Sequence, residues 1–470
     1  SLESSLRRLG FAGQFLIMLS NGGTCTVATA CQYPIYILES GPAAGALAAV
    51  HYGQQTAFDT LLSFDMGGTT AKSCLIDAGQ PMTTTDYEVA RMYRFKKGSG
   101  LPIKVPVIEM IEIGAGGGSI ARIDTLGLLK VGPDSAESDP GPVCYDLGGT
   151  APTVTDADLV LGYLDANFFL GGTMRLDADA AYRAIVERLA EPLGLDPIAA
   201  AWGVHQVVNE NMASAARVHA IERGKDPRSY TLFAFGGAGP VHACQVAQIL
   251  DLSHVICPMG AGVASAFGML CAPLAFDFVR SYYATLESLD WTHVNALLQS
   301  MEQEGQQLMR AAGVAPDDIR LVRRCDMRYA GQTHEIAVAL PPDRLGPERY
   351  AALLAAFEAA YNALYTEVQE DRPIETLNWR LTVSGPAPQV QVEVATAVAK
   401  EAQPKGERQV YFPVGGFRLT PVYDRYTLPL GTRLLGPAIV EERECTVVVA
   451  PGYDAEVDQF ANLMLQRGSA

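Results

Sequence analysis

Residues 62–76 read LSFDMGGTTAKSCLI: a short apolar run, Asp-Met-Gly-Gly-Thr-Thr, then a second apolar run. Two strands joined in this way form a hairpin whose turn presents backbone N–H groups and threonine hydroxyls to an anion. Gly67 and Gly68 carry no Cβ, so positive φ and close approach of a charged ligand are open to both. Asp65 stands at the mouth of the turn, placed to hold a divalent cation directly or through water. No GK[ST] follows, which excludes a Walker loop. Taken alone, the stretch reads equally well as an ordinary hairpin with a Gly-Gly turn.

A second glycine turn lies far downstream. Residues 231–243 read TLFAFGGAGPVHA, an apolar strand running into Gly-Gly-Ala-Gly-Pro and then a helical pattern. Strand, glycine turn and helix let backbone pass close to a flat or phosphorylated ligand. Together with Asp65–Thr70 it resembles the nucleotide site of the actin/Hsp70/sugar-kinase superfamily. There an Asp-x-Gly-Gly-Thr hairpin forms the second phosphate loop and a Gly-Gly turn lies against adenosine.

Further motifs follow in order: SNGG at Ser20–Gly23, SGPAAG at Ser40–Gly45, IGAGGGSIARID at Ile113–Asp124 and VGPDSAESDPGPVCY at Val131–Tyr145. Then come GGTAPTVTDADLVLG at Gly148–Gly162, VNENMASAARVHAIERG at Val208–Gly224, DMRYAGQ at Asp326–Gln332, PVYDR at Pro421–Arg425 and GPAIVEE at Gly436–Glu442. This order resembles the A-type subunit of the hydantoinase/oxoprolinase family over essentially the whole chain. That family includes ATP-dependent N-methylhydantoinase, 5-oxoprolinase, similar lactamases and the ATP-binding subunits of ketone carboxylases. Its members normally open with a further block that carries the first phosphate loop. This chain starts SLESSLRRLG, so that block is expected on a separate chain, removed or absent, and the nucleotide cleft half-built.

The resemblance implies an α/β fold: an actin-like, ribonuclease-H-like nucleotide core over 1–277, an α/β unit over 278–400 and a small β-rich domain over 401–470. It implies ATP with Mg²⁺ or another divalent metal, acting on a cyclic amide (hydantoin, 5-oxoproline or a related lactam). A ketone-carboxylase subunit and a non-catalytic nucleotide-binding scaffold are the alternatives. A B-type subunit, and a separate N-terminal half, are the expected partners in an oligomer. On this reading Gly67, Gly68, Thr69 and Thr70 cradle phosphate, with Asp65 and Thr69 catalytic. Gly236, Gly237, Ala238 and Asn211 contact the nucleotide, and Asp65 and Asp158 are the metal ligands. Asp156 reads better as a helix cap than as a ligand. Gly116–Ser119 is either a second anion nest or a tight turn. Lys72 either neutralises phosphate charge or faces solvent, and His219 and His242 read as structural.

Composition narrows the partners. The chain has 470 residues, 49% apolar and 19% charged, with a net charge of −17. That describes a globular protein with room for two to four domains, and argues against a nucleic-acid partner. Nine cysteines stand singly with no C-x-x-C, which fits a reduced, cytoplasmic protein. The charged N-terminus lacks the apolar core of a signal peptide. Val255–Phe276 holds no charge over 22 positions, but Pro258, Gly260, Gly262, Gly268 and Pro273 argue for a buried loop and helix instead of a membrane span.

Periodicity predicts strands at 13–19 and 33–39, a helix entered at Ser40, and further strands over 82–112 around a basic loop, KKGSG at Lys96–Gly100, with scattered basic residues over Arg91–Lys97. Residues 204–222 carry apolar side chains at helical spacing, from Val204 to Ile221. The Gly/Pro-rich stretch 114–162 is expected to cover the cleft. Helices at 285–313 and 347–366, strands at 318–340 and 374–398, and a connector over 390–410 complete the reading.

Overall fold

The computed structural model describes residues 2–89, 99–365, 372–390 and 401–468. The basic stretch Arg91–Lys97 and positions 391–400 of the expected connector lie outside the described residues. The chain divides into two compact units, Ser1–Leu38 with Ala272–Gln389, and Glu39–Cys271 with Val390–Ala470. These units cut across the three segments that the sequence suggests.

In the first unit, Ala275–Thr285, Ile374–Ser384, Arg320–Tyr329 and Ile336–Ala339 form an antiparallel four-stranded sheet. The amphipathic helices Trp291–Ala311 and Tyr350–Leu364 bury Leu298, Met301, Leu353 and Phe357 in the core that this sheet builds. Leu16–Met18 is the short strand foreseen at 13–19. The apolar run at 33–39 is not a strand. Pro34–Ile37 is a single 3₁₀ turn, because Pro34 fixes φ and has no N–H to give a ladder.

The second unit is built on a nine-stranded mixed sheet. Its centre is Leu61–Met66, paired parallel to Thr231–Phe235 on one side and antiparallel to Ala71–Asp77 on the other. Thr231–Phe235 is buried at every position and Leu61–Met66 at every position but Asp65, as expected of parallel strands covered on both faces. His254–Cys257 extends the sheet, followed by Leu463–Arg467, Tyr453–Val457 and Arg433–Leu435. Three strands of the C-terminal β segment therefore complete this sheet, with Leu463 and Leu465 packed into the same cluster as Leu62 and Phe64. A separate four-stranded sheet, Gly406–Phe412, Gly416–Asp424, Ala438–Glu441 and Thr446–Val449, stands beside it.

Three helices matter for the site: Val154–Val160, the 26-residue Pro197–Glu222 and Gly239–Leu250. The long helix is capped by Asp196, whose carboxylate accepts from the N–H groups of Ile198 and Ala199. Ala200, Val204, Val208, Met212 and Ala215 form its buried stripe. The uncharged run 255–276 folds as strand, 3₁₀ turn and the eight-residue helix Ala264–Cys271. No helix among the described residues is long and apolar enough to cross a membrane.

Candidate functional site

The parallel register sets Phe235 opposite Asp65, so both glycine turns leave the sheet at the same edge. They are also bonded to each other: the Ala238 N–H donates to Met66 O at 3.0 Å. Gly236 has φ +86°, and a Cβ there would stand 2.4 Å from Met66 O and 2.5 Å from an Asp65 carboxylate oxygen. Only glycine fits that approach.

Beside the turns lies a cavity of about 190 Å³, smaller than the roughly 300–1,000 Å³ of pockets that enclose a whole small molecule. Gly67, Gly68, Gly237, Ala238 and Asp158 line it. Gly68 and Thr69 are exposed, and their N–H groups donate to no acceptor among the described residues. A Cβ on Gly67 or Gly68 would meet nothing within 4 Å. Neither glycine takes the positive φ open to it; their smallness leaves space, and the turn itself is ordinary. The helix Gly239–Leu250 starts at the cavity wall with no side-chain cap, Pro240 in its first turn. Its N-terminal N–H groups and dipole favour an anion there.

The loop Gly116–Ser119 lies directly against the hairpin but is no second anion nest. The N–H groups of Gly117 and Gly118 donate to Gly67 O and Gly68 O, at 3.0 and 2.6 Å. Gly116 donates to Ser119 Oγ and Ser119 to Gly116 O. All four donors are thus committed to the protein. Thr155 ties the loop down, donating from both N–H and Oγ1 to Gly117 O. Asp156 is, as foreseen, a capping group: with Thr153 it closes a capping box, and its carboxylate also accepts from Cys144 N–H at 2.7 Å.

Asp65 and Asp158 do not share a ligand set. The Asp65 carboxylate lies behind the Gly236 turn and accepts from Ser265 Oγ at 3.5 Å. Burial raises its pKa, against the opposing charge of Lys72. Lys72 itself pairs with Glu112 and Glu39, at 3.2 and 3.8 Å, and is absent from the cavity lining. Asn211 also lies off the cavity; its amide donates to Val131 O at 3.5 Å.

Asp158 is 3% exposed and sits between two imidazoles. His205 Nδ1 is 2.7 Å from one carboxylate oxygen and His242 Nε2 is 3.2 Å from the other. Burial pushes the Asp158 pKa upward, but His242 and His205 outweigh it and hold it at about 2. Burial lowers His205, and His242 lowers it further. Among the described residues, Asp158, His205 and His242 are the one group of such side chains that converges as metal ligands would, all ligand atoms within 4.8 Å. His242 is therefore part of a polar centre and not simple helix packing. His205 escaped the sequence reading, since a lone histidine on an apolar helix face gives no local signal.

Tyr145, Leu164 and Phe168–Leu170 form an apolar part of the wall, and Glu442–Thr446 form another part. Arg443 is the one lysine or arginine lining the cavity among the described residues, its guanidinium 5.6 Å from the centre of the Tyr426 ring. Glu442 is buried against Arg425 at 3.2 Å and accepts from Gly260 N–H. Burial dominates both, raising the Glu442 pKa and lowering that of Arg425. This pair joins two of the late motifs, PVYDR and GPAIVEE, and anchors the wall.

Fold and site together describe an α/β protein with a cleft at one edge of a mixed sheet, lined by uncommitted N–H groups and a helix N-terminus. The chain belongs to the hydantoinase/oxoprolinase family: the family's main domain matches residues 1–278 and its C-terminal domain residues 287–467. It is 35% identical to the caprolactamase subunit alpha of Pseudomonas jessenii, over 99% of this chain and 67% of that one. It is 31% identical to the acetophenone carboxylase gamma subunit of Aromatoleum aromaticum, over 98% and 63%. The crystal structure of the ATP-dependent caprolactamase from Pseudomonas jessenii superposes with a TM-score of 0.82 at 33% identity, covering 100% of this chain and 67% of that one. Nucleotide-free acetone carboxylase superposes with a TM-score of 0.81 at 25% identity, over 99% and 66%. The chain thus spans about two thirds of the length of these relatives.

Proposed function

We propose that this chain is the ATP-handling subunit of an enzyme that phosphorylates the oxygen of a cyclic amide so that water can open the ring. The observation that carries the reading is the pairing of the two glycine turns in one cleft, with free N–H groups at Gly68 and Thr69 and a helix N-terminus beside them. An unstrained amide resists hydrolysis at neutral pH, and a phosphorylated oxygen is a far better leaving group. Such a transfer needs positioning and neutralisation of charge more than covalent help. The N–H groups and hydroxyls of Thr69 and Thr70 hold phosphate oxygens, Arg443 balances their charge, and Asp65 orients a Mg²⁺ or its water. Gly236, Gly237 and Ala238 form the nucleotide side of the cleft, within an actin-like core. Similarity to a caprolactamase subunit supports the choice of a lactam. Similarity to two ketone-carboxylase subunits supports a second reading, with bicarbonate as co-substrate.

A B-type subunit, and an N-terminal block supplying the other phosphate loop, complete the assembly on this reading, in a reducing compartment. The test is phosphate release from Mg-ATP by the natively purified protein with its accompanying chains. The panel is 5-oxoproline, a hydantoin, caprolactam, and a ketone with bicarbonate. Stimulation by a cyclic amide supports the first reading, and stimulation by the ketone only with bicarbonate supports the second. ATP binding without turnover across the panel overturns both in favour of a scaffold.

A further inference from the structure

Three helices converge on one buried point, each contributing one side chain: Asp158, His205 and His242. All three are at most 3% exposed. The imidazoles stack on one another, centroids 4.5 Å apart and planes 22° apart, and Trp202 stacks on the His205 ring at 5.4 Å. These are polar atoms in a place where burial is expensive unless each finds a partner.

The hydrogen bonds leave one partner wanting. Asn209 Nδ2 donates to Gln245 Oε1 at 2.9 Å, which leaves Asn209 Oδ1 as the acceptor facing His242. His242 Nδ1 therefore carries a proton and donates it to Asn209 Oδ1, also at 2.9 Å. In the neutral ring Nε2 is then a bare lone pair. It points at a carboxylate oxygen 3.2 Å away, and it is a buried nitrogen with no hydrogen-bond partner. A lone pair and a carboxylate oxygen at that separation repel unless something positive lies between them.

We propose that Asp158, His205 and His242 bind one divalent transition-metal ion of the Zn²⁺ class beneath the cleft. Two imidazole nitrogens and one carboxylate are a donor set for Zn²⁺ or Fe²⁺, whereas Mg²⁺ prefers oxygen donors. Asn209 acts as the outer partner that fixes the His242 tautomer, as groups behind metal-bound imidazoles do. His205 Nδ1 and its carboxylate partner stand 2.7 Å apart, closer than two ligands of one tetrahedral ion, about 3.3 Å apart for bonds of about 2.0 Å. Binding therefore replaces the proton between them with the ion, releases that proton to solvent, and moves the two groups apart by about 0.6 Å. Asp158 also lines the cavity, so the ion's remaining coordination position is reached from the cleft. The ion is distinct from any Mg²⁺ that accompanies ATP, and its presence does not depend on what the cleft binds.

The test is metal content and coordination in the protein purified without chelator with its accompanying chains, and again after EDTA dialysis and addition of Zn²⁺ or Co²⁺. The expected result is one ion at the triad, seen as an anomalous-scattering peak between the three side chains. Co²⁺ should give visible absorption bands typical of a low-coordinate nitrogen-ligated site. His242→Gln and Asp158→Asn should each weaken uptake at least tenfold. The wild-type peak decides the matter even if a variant fails to fold. No peak at the triad, with Zn²⁺ or Co²⁺ in excess, overturns the proposal and leaves a proton between His242 and Asp158. Unchanged uptake in folded variants overturns it as well. ATP binding, followed separately on the same samples, tells a failed ion site from a failed nucleotide site.

Discussion

Two glycine-rich turns touch in this protein and are used in opposite ways. Gly67–Thr70 leaves N–H groups unspent and space above both glycines. Gly116–Ser119 spends every N–H it has on the protein, two of them on the carbonyls of the first turn. On composition alone the second turn, with three successive glycines, is also a candidate for an anion nest. The difference teaches that an anion site is defined by where donors remain free, a question of hydrogen-bond accounting and not of glycine content.

The largest effect expected from this contrast is on Gly116. A Cβ there would lie 2.6 Å from the Gly68 carbonyl carbon, and backbone cannot step aside cheaply. Gly116→Ala should lower stability by about 3 kcal/mol, read by chemical denaturation. Thr155→Val removes the hydroxyl bond to Gly117 O but keeps the N–H bond, and should lose about 1 kcal/mol.

Asp65 should show a smaller change of opposite sign. Its folded-state pKa is raised, so the folded protein favours the protonated acid. The stability it lends is present below its unfolded value near 3.8 and is lost as pH rises through the folded value. Asp65→Asn should therefore be more stable than the wild type at pH 7, with the gain vanishing on acidification, while binding ATP less well. A loss of stability at pH 7 would show that Asp65 is held for structure.

The smallest effect on stability is expected at Gly68. Gly68→Ala should stay within about 0.5 kcal/mol of the wild type, yet bind ATP at least tenfold more weakly by calorimetry, since its methyl enters the cavity. Equal destabilisation by Gly68→Ala and Gly116→Ala would dissolve the contrast between the turns.

The parts legible in the sequence are those written locally. A strand–turn–strand and a strand–turn–helix each declare themselves within fifteen residues, and the stripe from Val204 to Ile221 marks its helix. The same logic misled at 33–39, where β-rich composition outweighed Pro34 in the reading. Residue type leaves positive φ open to Gly67 and Gly68, whereas the turn uses only their smallness. The resemblance points to Asn211 on the long helix, but Asn209, two residues earlier, is the residue facing His242. Asp158 is read as a metal ligand, but its grouping with His205 and His242 is not legible. Asp158, His205 and His242 sit on three helices, and only packing brings them together. Arg443 was hidden for the same reason: the wall it stands on is held by the distant pair Arg425 and Glu442.

The parallel pairing of Leu61–Met66 with Thr231–Phe235 also bears on how the molecule is made. A ribosome adding about 5–20 residues per second emits the first strand roughly ten to thirty seconds before its neighbour can exist. During that interval Phe64 and Met66 lack the strand that covers them, and the hairpin is an exposed sheet edge. The strands Tyr453–Val457 and Leu463–Arg467 arrive later still. The cleft is thus among the last things a nascent chain acquires, and a chain stalled before residue 231 presents an open edge for a chaperone to shield.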